Sequence, residues 1–121
     1  SMATKKFMLV NRKAPYGSIY ALESLEVVLI TAAFEQDVSV VFVDDGVYQL
    51  KKGMQTKGIA TKNFSPTYRA LEDYDVDKLY VEAESLAARG LSAEDLVTDV
   101  KIVDSPTLAG LMAEQDVVLS F

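Results

Sequence analysis

Two adjacent carboxylates followed by a glycine form the part of this sequence that comes closest to a site for chemistry. Asp44, Asp45 and Gly46 follow directly on Val38–Val43, an apolar and largely β-branched run. Such a run predicts a strand covered on both faces, and ligands of parallel α/β sheets bind at the carboxyl ends of the strands. Two carboxylates there suit a hard cation such as magnesium. A strand-end turn with a helix-capping Asp explains the same residues, and because the sequence assigns no further ligand, we predict no metal.

The residue types that are absent exclude most catalytic chemistry. None of the 121 residues is a cysteine or a histidine. This excludes thiolate nucleophiles, Ser-His-Asp and Cys-His arrangements and the usual zinc ligand sets for this chain. A carboxylate pair, a lysine with a shifted pKa and an oxygen-ligand cation site remain as options. The net charge of −6 argues against a surface for phosphate backbones, so we expect no direct contact with nucleic acid, and we expect no cofactor.

A second candidate ligand site follows the first predicted strand. Arg12 and Lys13 precede Gly17 and Ser18, and Ser18 is the predicted N-cap of a helix, so backbone N–H groups and the helix dipole could hold a phosphate there. The pattern lacks the spacing of a Walker loop or of a dinucleotide fingerprint. We therefore favour a tight strand-to-helix turn fixed by Pro15 and Gly17.

Short apolar segments alternate with helical patterns, and this alternation predicts the elements that position these residues. The five predicted strands are Lys6–Asn11, Val38–Val43, Lys78–Glu82, Val100–Val103 and Val117–Phe121. The predicted helical segments are Ile19 to about Phe34, Val47–Leu50, a helix capped by Ser65, a short helix that ends at Gly90, and a helix capped by Ser105 that runs from Pro106 to about Glu114. The order predicts an α/β protein, a three-layer α/β/α domain with a five-stranded, mainly parallel sheet.

We expect a single domain over residues 3–121 and interpret Ser1 and Met2 as the remnant of an expression tag. The sequence has no run of about 18 apolar residues and no signal-peptide pattern, so no membrane association is expected. A chain without cysteine forms no disulfide, and the lack of disulfides is typical of cytoplasmic proteins. A cytoplasmic location is therefore predicted.

Aromatic side chains supply the candidates for a subunit interface. Tyrosine combines an apolar ring with a polar tip and is enriched at protein interfaces. The helix predicted from Ile19 is apolar nearly all round, which indicates that more than one neighbour covers it. The candidate interface residues are Tyr16, Tyr20, Tyr48, Phe64, Tyr68 and Tyr80.

Several stretches spread along the chain form a pattern that is specific only in combination. They are Ala14–Ser18, Asp45–Leu50, Tyr74–Val76, Ser85–Leu86 with Arg89–Leu91, and Asp116–Phe121. In this combination the chain resembles the DsrE/DsrF-like sulfur-relay family over essentially its whole length, and within it the DsrF/TusC type of subunit. The resemblance implies a DsrEFH-like fold.

The resemblance also implies a subunit of a cytoplasmic heterohexamer, a dimer of heterotrimers, in which persulfide sulfur passes between cysteines. The implied partners are DsrE/TusD-like and DsrH/TusB-like subunits of a DsrEFH or TusBCD type of complex. The implied pathway is intracellular sulfur oxidation or 2-thiouridine modification of tRNA, and Asn11–Gly17 and Asn63–Arg69 look closer to the first. In the family the catalytic cysteine belongs to the DsrE/TusD-like subunit and follows the third strand. Tyr80 stands at about that place here, and a phenol cannot carry a sulfane sulfur.

Three hypotheses from different classes follow. The leading one is a non-catalytic structural subunit, not an enzyme, that helps to assemble and shape the sulfur-transfer site of a cysteine-bearing partner. The alternative is a small strand-end ligand-binding or magnesium-dependent domain that uses Asp44, Asp45 and Lys13. The third is a homo-oligomer formed by the chain on its own, since exposed partner surface can pair with itself.

Overall fold

The computed structural model describes residues 4–14, 36–51, 78–96 and 100–121. In chain order the elements are β1 Lys6–Asn11, β2 Asp37–Phe42, a 3-10 helix Asp44–Leu50, β3 Lys78–Glu82, α1 Ala83–Ala88, a 3-10 turn Ala93–Asp95, β4 Lys101–Val103, α2 Ser105–Ala113 and β5 Val117–Ser120. Each predicted strand is present, with ends within one residue of the predicted ones. None of the helices in these ranges is long and apolar enough to cross a bilayer. The helices predicted from Ile19 and after Ser65 lie outside the described residues.

The strands form one parallel sheet in the order β4-β3-β2-β1-β5. β1 lies between β2 and β5, with Leu9 opposite both Val40 and Leu119. β3 pairs with β2 and with β4 in the same direction. These pairings confirm the predicted mainly parallel sheet, and they place the carboxyl ends of all five strands along one side of it.

Alternate side chains of the strands build two cores, one on each face of the sheet. The first core includes Leu9, Phe42 and Val81 of the sheet, Leu50 of the 3-10 helix and Leu86 of α1. The second includes Met8, Val10, Val41 and Val43 together with Leu108 of α2. Helical segments therefore cover both faces, which confirms the three-layer α/β/α architecture.

The C-terminus of α1 shows why glycine is needed there. Gly90 has a φ of 66°, in the left-handed region that a side chain disfavours. The Gly90 N–H donates to Ala87 O at 3.1 Å, and the Leu91 N–H donates to Leu86 O at 3.0 Å. These paired bonds are the Schellman motif, so the prediction that a helix ends at Gly90 is confirmed.

The predicted cap of the last helix is wrong by one residue. Asp104 is the N-cap of α2, and its Oδ1 accepts a hydrogen bond from the Thr107 N–H at 2.8 Å. Ser105, the predicted cap, is instead the first residue of the helix. Both residue types are good N-caps, and the Ser105 hydroxyl instead donates to Glu82 Oε2 at 3.1 Å.

Candidate functional site

Polar side chains from the ends of all five strands meet along one side of the sheet, which we call the carboxyl edge. Hydrogen bonds connect them in the spatial order of the strands, from β5 through β1, β2 and β3 to β4. The connected residues are Ser120, Arg12, Asp44, Ser85, Glu82 and Ser105. The predicted site residue Asp44 lies in the middle of this network.

Arg12 joins β5 to β2 across the end of β1. Its Nε donates to Ser120 Oγ at 3.2 Å, and its Nη1 lies 3.2 Å from Asp44 Oδ2. Half of the Arg12 side chain is exposed, so water screens the ion pair and we expect it to contribute about 1 kcal/mol or less. Arg12 was also a candidate for a phosphate cradle with Gly17 and Ser18. In the structure its guanidinium pairs with Asp44 instead. Gly17 and Ser18 lie outside the described residues.

Asp44 has an uncommon backbone conformation at the end of β2. Its φ is 50°, in the left-handed region, which Asp tolerates better than most side chains. Its N–H donates to Ser85 Oγ at 2.8 Å. The expectation that an Asp caps this helical segment is wrong, because the N-cap is Val43 and makes no side-chain hydrogen bond. The Asp44 carboxylate pairs with Arg12 rather than with N–H groups of the helix.

Ser85 connects the turn after β2 to the turn after β3. It is only 4% exposed, and its Oγ both accepts from the Asp44 N–H and donates to Glu82 Oε1 at 2.5 Å. The second oxygen of Glu82, Oε2, accepts from Ser105 Oγ at 3.1 Å. Both oxygens of the Glu82 carboxylate therefore accept a hydrogen bond from a serine hydroxyl. This arrangement ties β3 to the start of α2.

Asp45 pairs with a different cation from that of its neighbour. Nε and Nη2 of Arg89 lie 3.0 and 2.9 Å from Asp45 Oδ1, and Arg89 Nη1 donates to Ser85 O at 3.1 Å. Asp44 and Asp45 thus each have their own arginine. Within the four described ranges, no three Asp or Glu side chains gather closely enough to hold a cation. These contacts weigh against the alternative of a magnesium-dependent domain.

Gly46 permits a close approach of two segments at the carboxyl edge. A Cβ atom on this residue would lie 1.9 Å from the carbonyl oxygen of Asn11, far inside van der Waals contact. The same carbonyl accepts from the Val43 N–H at 3.0 Å. The Asn11 side chain is buried and donates through Nδ2 to Val41 O at 3.3 Å. Gly46 therefore serves packing in this predicted turn.

Two carboxylates hold the N-terminus of α2. Glu84 accepts from the Ser105 N–H at 2.9 Å, and Asp104 accepts from the Thr107 N–H at 2.8 Å. The hydrogen bond from the Ser105 backbone lowers the pKa of Glu84. Hydrogen bonds from Thr107, first from its hydroxyl and then from its backbone N–H, lower the pKa of Asp104. Both carboxylates thus serve as helix caps.

The structure describes two of the six candidate interface residues, Tyr48 and Tyr80. Tyr48 is half-buried in the 3-10 helix. Tyr80 lies inside β3 rather than after it, half-buried beside the core that contains Val41, with Lys101 Nζ 5.7 Å from its ring centre. The other four, outside the described residues, are Tyr16, Tyr20, Phe64 and Tyr68. An interface role for the set stays a prediction.

Sequence reasoning missed Glu82, Ser85 and Arg89 as members of the carboxyl edge. Glu82 ends β3 much as Asp44 follows β2, so the rule that polar residues at strand ends meet would have found it if applied to every strand. Ser85 lies in α1 and Arg89 at its C-terminus, and that rule gives no signal for them. Lys13 is a candidate residue of the ligand-binding alternative. Its backbone carbonyl oxygen accepts a hydrogen bond from Gln49 Nε2 at 2.9 Å. The network as a whole joins structural elements to one another.

Comparison with known proteins identifies a family and several relatives of the chain. The family model described as the DsrE/DsrF-like family matches residues 5–121. The chain is 56% identical to the intracellular sulfur oxidation protein DsrF of Allochromatium vinosum, over 100% of this chain and 99% of that protein. It is 39% identical to a protein TusC homolog of Vibrio vulnificus, over 91% of this chain and 93% of that protein.

Solved structures show the same fold. The ychN protein of E. coli superposes with a TM-score of 0.79 at 25% identity and covers 98% of this chain and 100% of its own. The protein MTH1491 of Methanobacterium thermoautotrophicum superposes with a TM-score of 0.70 at 16% identity, with the same coverage.

Proposed function

The chain belongs to the DsrE/DsrF-like family, and on this premise we propose that it is a non-catalytic subunit of a cytoplasmic sulfur-relay complex. In this proposal it assembles with a DsrE/TusD-like and a DsrH/TusB-like subunit into a heterohexamer, a dimer of heterotrimers. The thiol that carries the sulfur belongs to a partner. This chain contributes contact surface and shape to the transfer site.

One observation carries the proposal: a chain without cysteine is 56% identical to a protein named for intracellular sulfur oxidation. Sulfur relay between proteins moves a sulfane sulfur from one thiolate to the next as a persulfide. Hydroxyls and phenols do not form that bond, and the methionine thioether has no thiolate form. In this proposal the chain therefore takes part in sulfur transfer only by contacting the partner that carries the thiol.

The carboxyl edge supports a structural role as well. A carboxylate that already accepts hydrogen bonds or pairs with an arginine is less available to a substrate than an unpaired one. Here Asp45 is engaged by Arg89, and both oxygens of Glu82 accept from serines. The polar groups that follow β2 and β3 are used to fix one turn against the next.

The degree of identity favours one branch of the family. The chain is 56% identical to DsrF and 39% identical to the TusC homolog. We therefore place the proposed complex in intracellular sulfur oxidation rather than in thiolation of tRNA. In either branch the proposed part played by this chain is the same.

Co-expression with a cysteine-bearing family member and a third relative, followed by native mass measurement, tests the assembly. We expect a complex with two copies of each chain, and loss of sulfur transfer through the cysteine-bearing partner when this chain is omitted. A Cys→Ser variant of the partner is the matched control, since it should assemble normally and transfer nothing. A chain that binds none of its relatives would contradict the proposal.

A further inference from the structure

β5 leaves one of its sides open. It stands at the end of the strand order, and within the described ranges it pairs with β1 alone. Val118 and Leu119 are apolar yet 42% and 38% exposed, and the strand Val117–Ser120 contains no charged residue. An apolar edge strand with unpaired backbone groups is a template for another strand.

The hydrogen bonds to β1 decide which backbone groups of β5 face outward. The Phe121 N–H donates to Val10 O at 2.8 Å, and Phe121 O accepts from the Arg12 N–H at 3.0 Å. The backbone groups of Phe121 therefore face β1. Because this direction alternates along a strand, those of Leu119 also face β1 and those of Val118 face away. Val118 thus offers both an N–H and a C=O at the open side.

The opposite end of the sheet is protected in ways that β5 is not. β4 is three residues long and begins with Lys101, whose ammonium lies 5.7 Å from the ring centre of Tyr80. A short strand and a lysine are common devices that keep edge strands from pairing. β5 is one residue longer and contains no lysine, so the two ends of the sheet are not equivalent.

β5 is complementary to itself in the antiparallel direction. When Val118 lies opposite Val118 of a second copy, Val117 of each chain lies opposite Leu119 of the other. The three facing pairs that residues 117–119 form are all apolar, and the outward backbone groups of the two Val118 residues meet. The register has a two-fold axis at Val118, as a closed dimer requires.

Charges at the ends of β5 agree with the same register, which places Asp116 of the second copy opposite Ser120. Arg12 Nε donates to Ser120 Oγ at 3.2 Å. Nη2 lies on the same side of the guanidinium as Nε and has no partner among the described residues. Asp116 uses Oδ2 to accept from the Lys6 N–H at 2.7 Å, which leaves Oδ1 for a cation. An Arg12–Asp116 contact between copies would form twice by symmetry.

We propose that β5 pairs antiparallel with β5 of a second copy of this chain, with Val118 on the two-fold axis. The two five-stranded sheets then continue into one sheet across the dimer. The inference rests on β5 and its neighbours and does not depend on the proposed sulfur-relay role. A contact of four residues per strand is small for a protein interface, so the dimer is weak and dissociates on dilution.

Sedimentation velocity of the purified full chain over a range of concentrations tests the proposal. We expect wild type to form a dimer as concentration rises. Val118→Lys and Val118→Glu each bring two like charges together at the axis, so each variant alone stays monomeric. An equimolar mixture of the two variants places opposite charges there and restores the dimer. Ile102→Lys on β4 is the matched control, since Ile102 is 43% exposed on the other edge strand and its variant keeps the dimer.

Several outcomes would overturn the proposal. They are a wild type that stays monomeric, a dimer that survives Val118→Lys, an Ile102→Lys variant that loses the dimer as well, and a mixture of Lys and Glu variants that stays monomeric. Pairing of this strand only with a cysteine-bearing relative, and never with a second copy, would equally contradict it.

Amide hydrogen exchange of the wild-type chain gives a second measurement that needs no variant. We expect the Val118 amide to become protected as concentration rises, because its N–H faces the second copy. The Leu119 amide already faces β1 and its protection should change little. Concentration-independent exchange at Val118 would contradict the pairing even if the variants failed to fold.

Discussion

The carboxyl edge and the open side of β5 are opposite kinds of surface on one small sheet. At the carboxyl edge, Asp44 and Asp45 are each held by an arginine, and buried Ser85 ties their turn to the next strand. At β5, apolar Val118 and Leu119 are exposed. The carboxylates that resemble a reactive site pair with arginines, whereas the apolar side chains of β5, which resemble core residues, are exposed to solvent.

This difference shows where the molecule can interact. A polar group that is already paired offers little to a substrate, while an exposed apolar strand gains by being covered. A protein that acts by assembly rather than by chemistry is expected to have this distribution.

Gly46→Ala is expected to have the largest effect, a loss of about 3 kcal/mol or more in the free energy of unfolding. The added Cβ would lie 1.9 Å from Asn11 O, so a backbone segment must move. Urea unfolding measures the loss. Gly110→Ala in α2 is the matched control, because a Cβ there meets nothing within 4 Å and should stabilise the helix by up to about 1 kcal/mol. Similar small effects for both variants would show that the carboxyl edge is loosely packed.

Ser85→Ala is expected to cost about 1–3 kcal/mol in unfolding free energy, because it removes the buried acceptor of the Asp44 N–H and one donor to Glu82. Ser105→Ala removes only the second donor to Glu82 and should cost about 1 kcal/mol or less. The comparison uses thermal or urea unfolding of both variants. Equal costs would mean that the bond from Asp44 contributes nothing to stability.

Asp45→Ala is expected to cost less than about 1 kcal/mol, because its pair with Arg89 is formed by an exposed carboxylate. Magnesium should leave the melting temperature of wild type unchanged. The measurement is thermal unfolding with and without the cation. A stabilisation by magnesium that disappears in Asp45→Ala would restore the ligand-binding alternative and break the comparison.

The smallest expected effect is the loss of the N-terminal capping of α2 at low pH. The pKa values of Glu84 and Asp104 are lowered from 4.5 and 3.8 by hydrogen bonds that form on folding. Their capping therefore stabilises the fold fully above these values and is lost as pH falls through the lowered pKa values. Amide chemical shifts of Ser105 and Thr107 report the titration. Asp104→Asn keeps a capping oxygen and should abolish the titration at Thr107 while leaving that at Ser105.

The sheet was predictable from the sequence because each strand is a compact apolar segment between turn residues. Lys6–Asn11 and Lys78–Glu82 have the predicted bounds, and Gly90 ends its helix as glycine at that position should. The cap of α2 was missed because Asp104 and Ser105 are both good caps. Which of them takes the position depends on Glu82, which attracts the Ser105 hydroxyl from another strand.

The carboxyl edge was only half predictable. The position of Asp44 and Asp45 at a strand end follows from local pattern. Their partners, Arg12 and Arg89, are distant in sequence, and single-sequence patterns carry no information on which side chains of different turns meet. The exposure of Val118 was equally unpredictable, because the sequence pattern of an apolar strand is the same at the centre and at the edge of a sheet.

Our central proposal is that this chain assembles with partners and that a partner carries the sulfur. Intact mass measurement of every chain of the co-purified complex, after exposure to a persulfide donor, tests this most directly. We predict one added sulfur atom on the cysteine-bearing partner and an unchanged mass for this chain, alone and in the complex. Added sulfur on this chain that a thiol reductant removes would contradict the account.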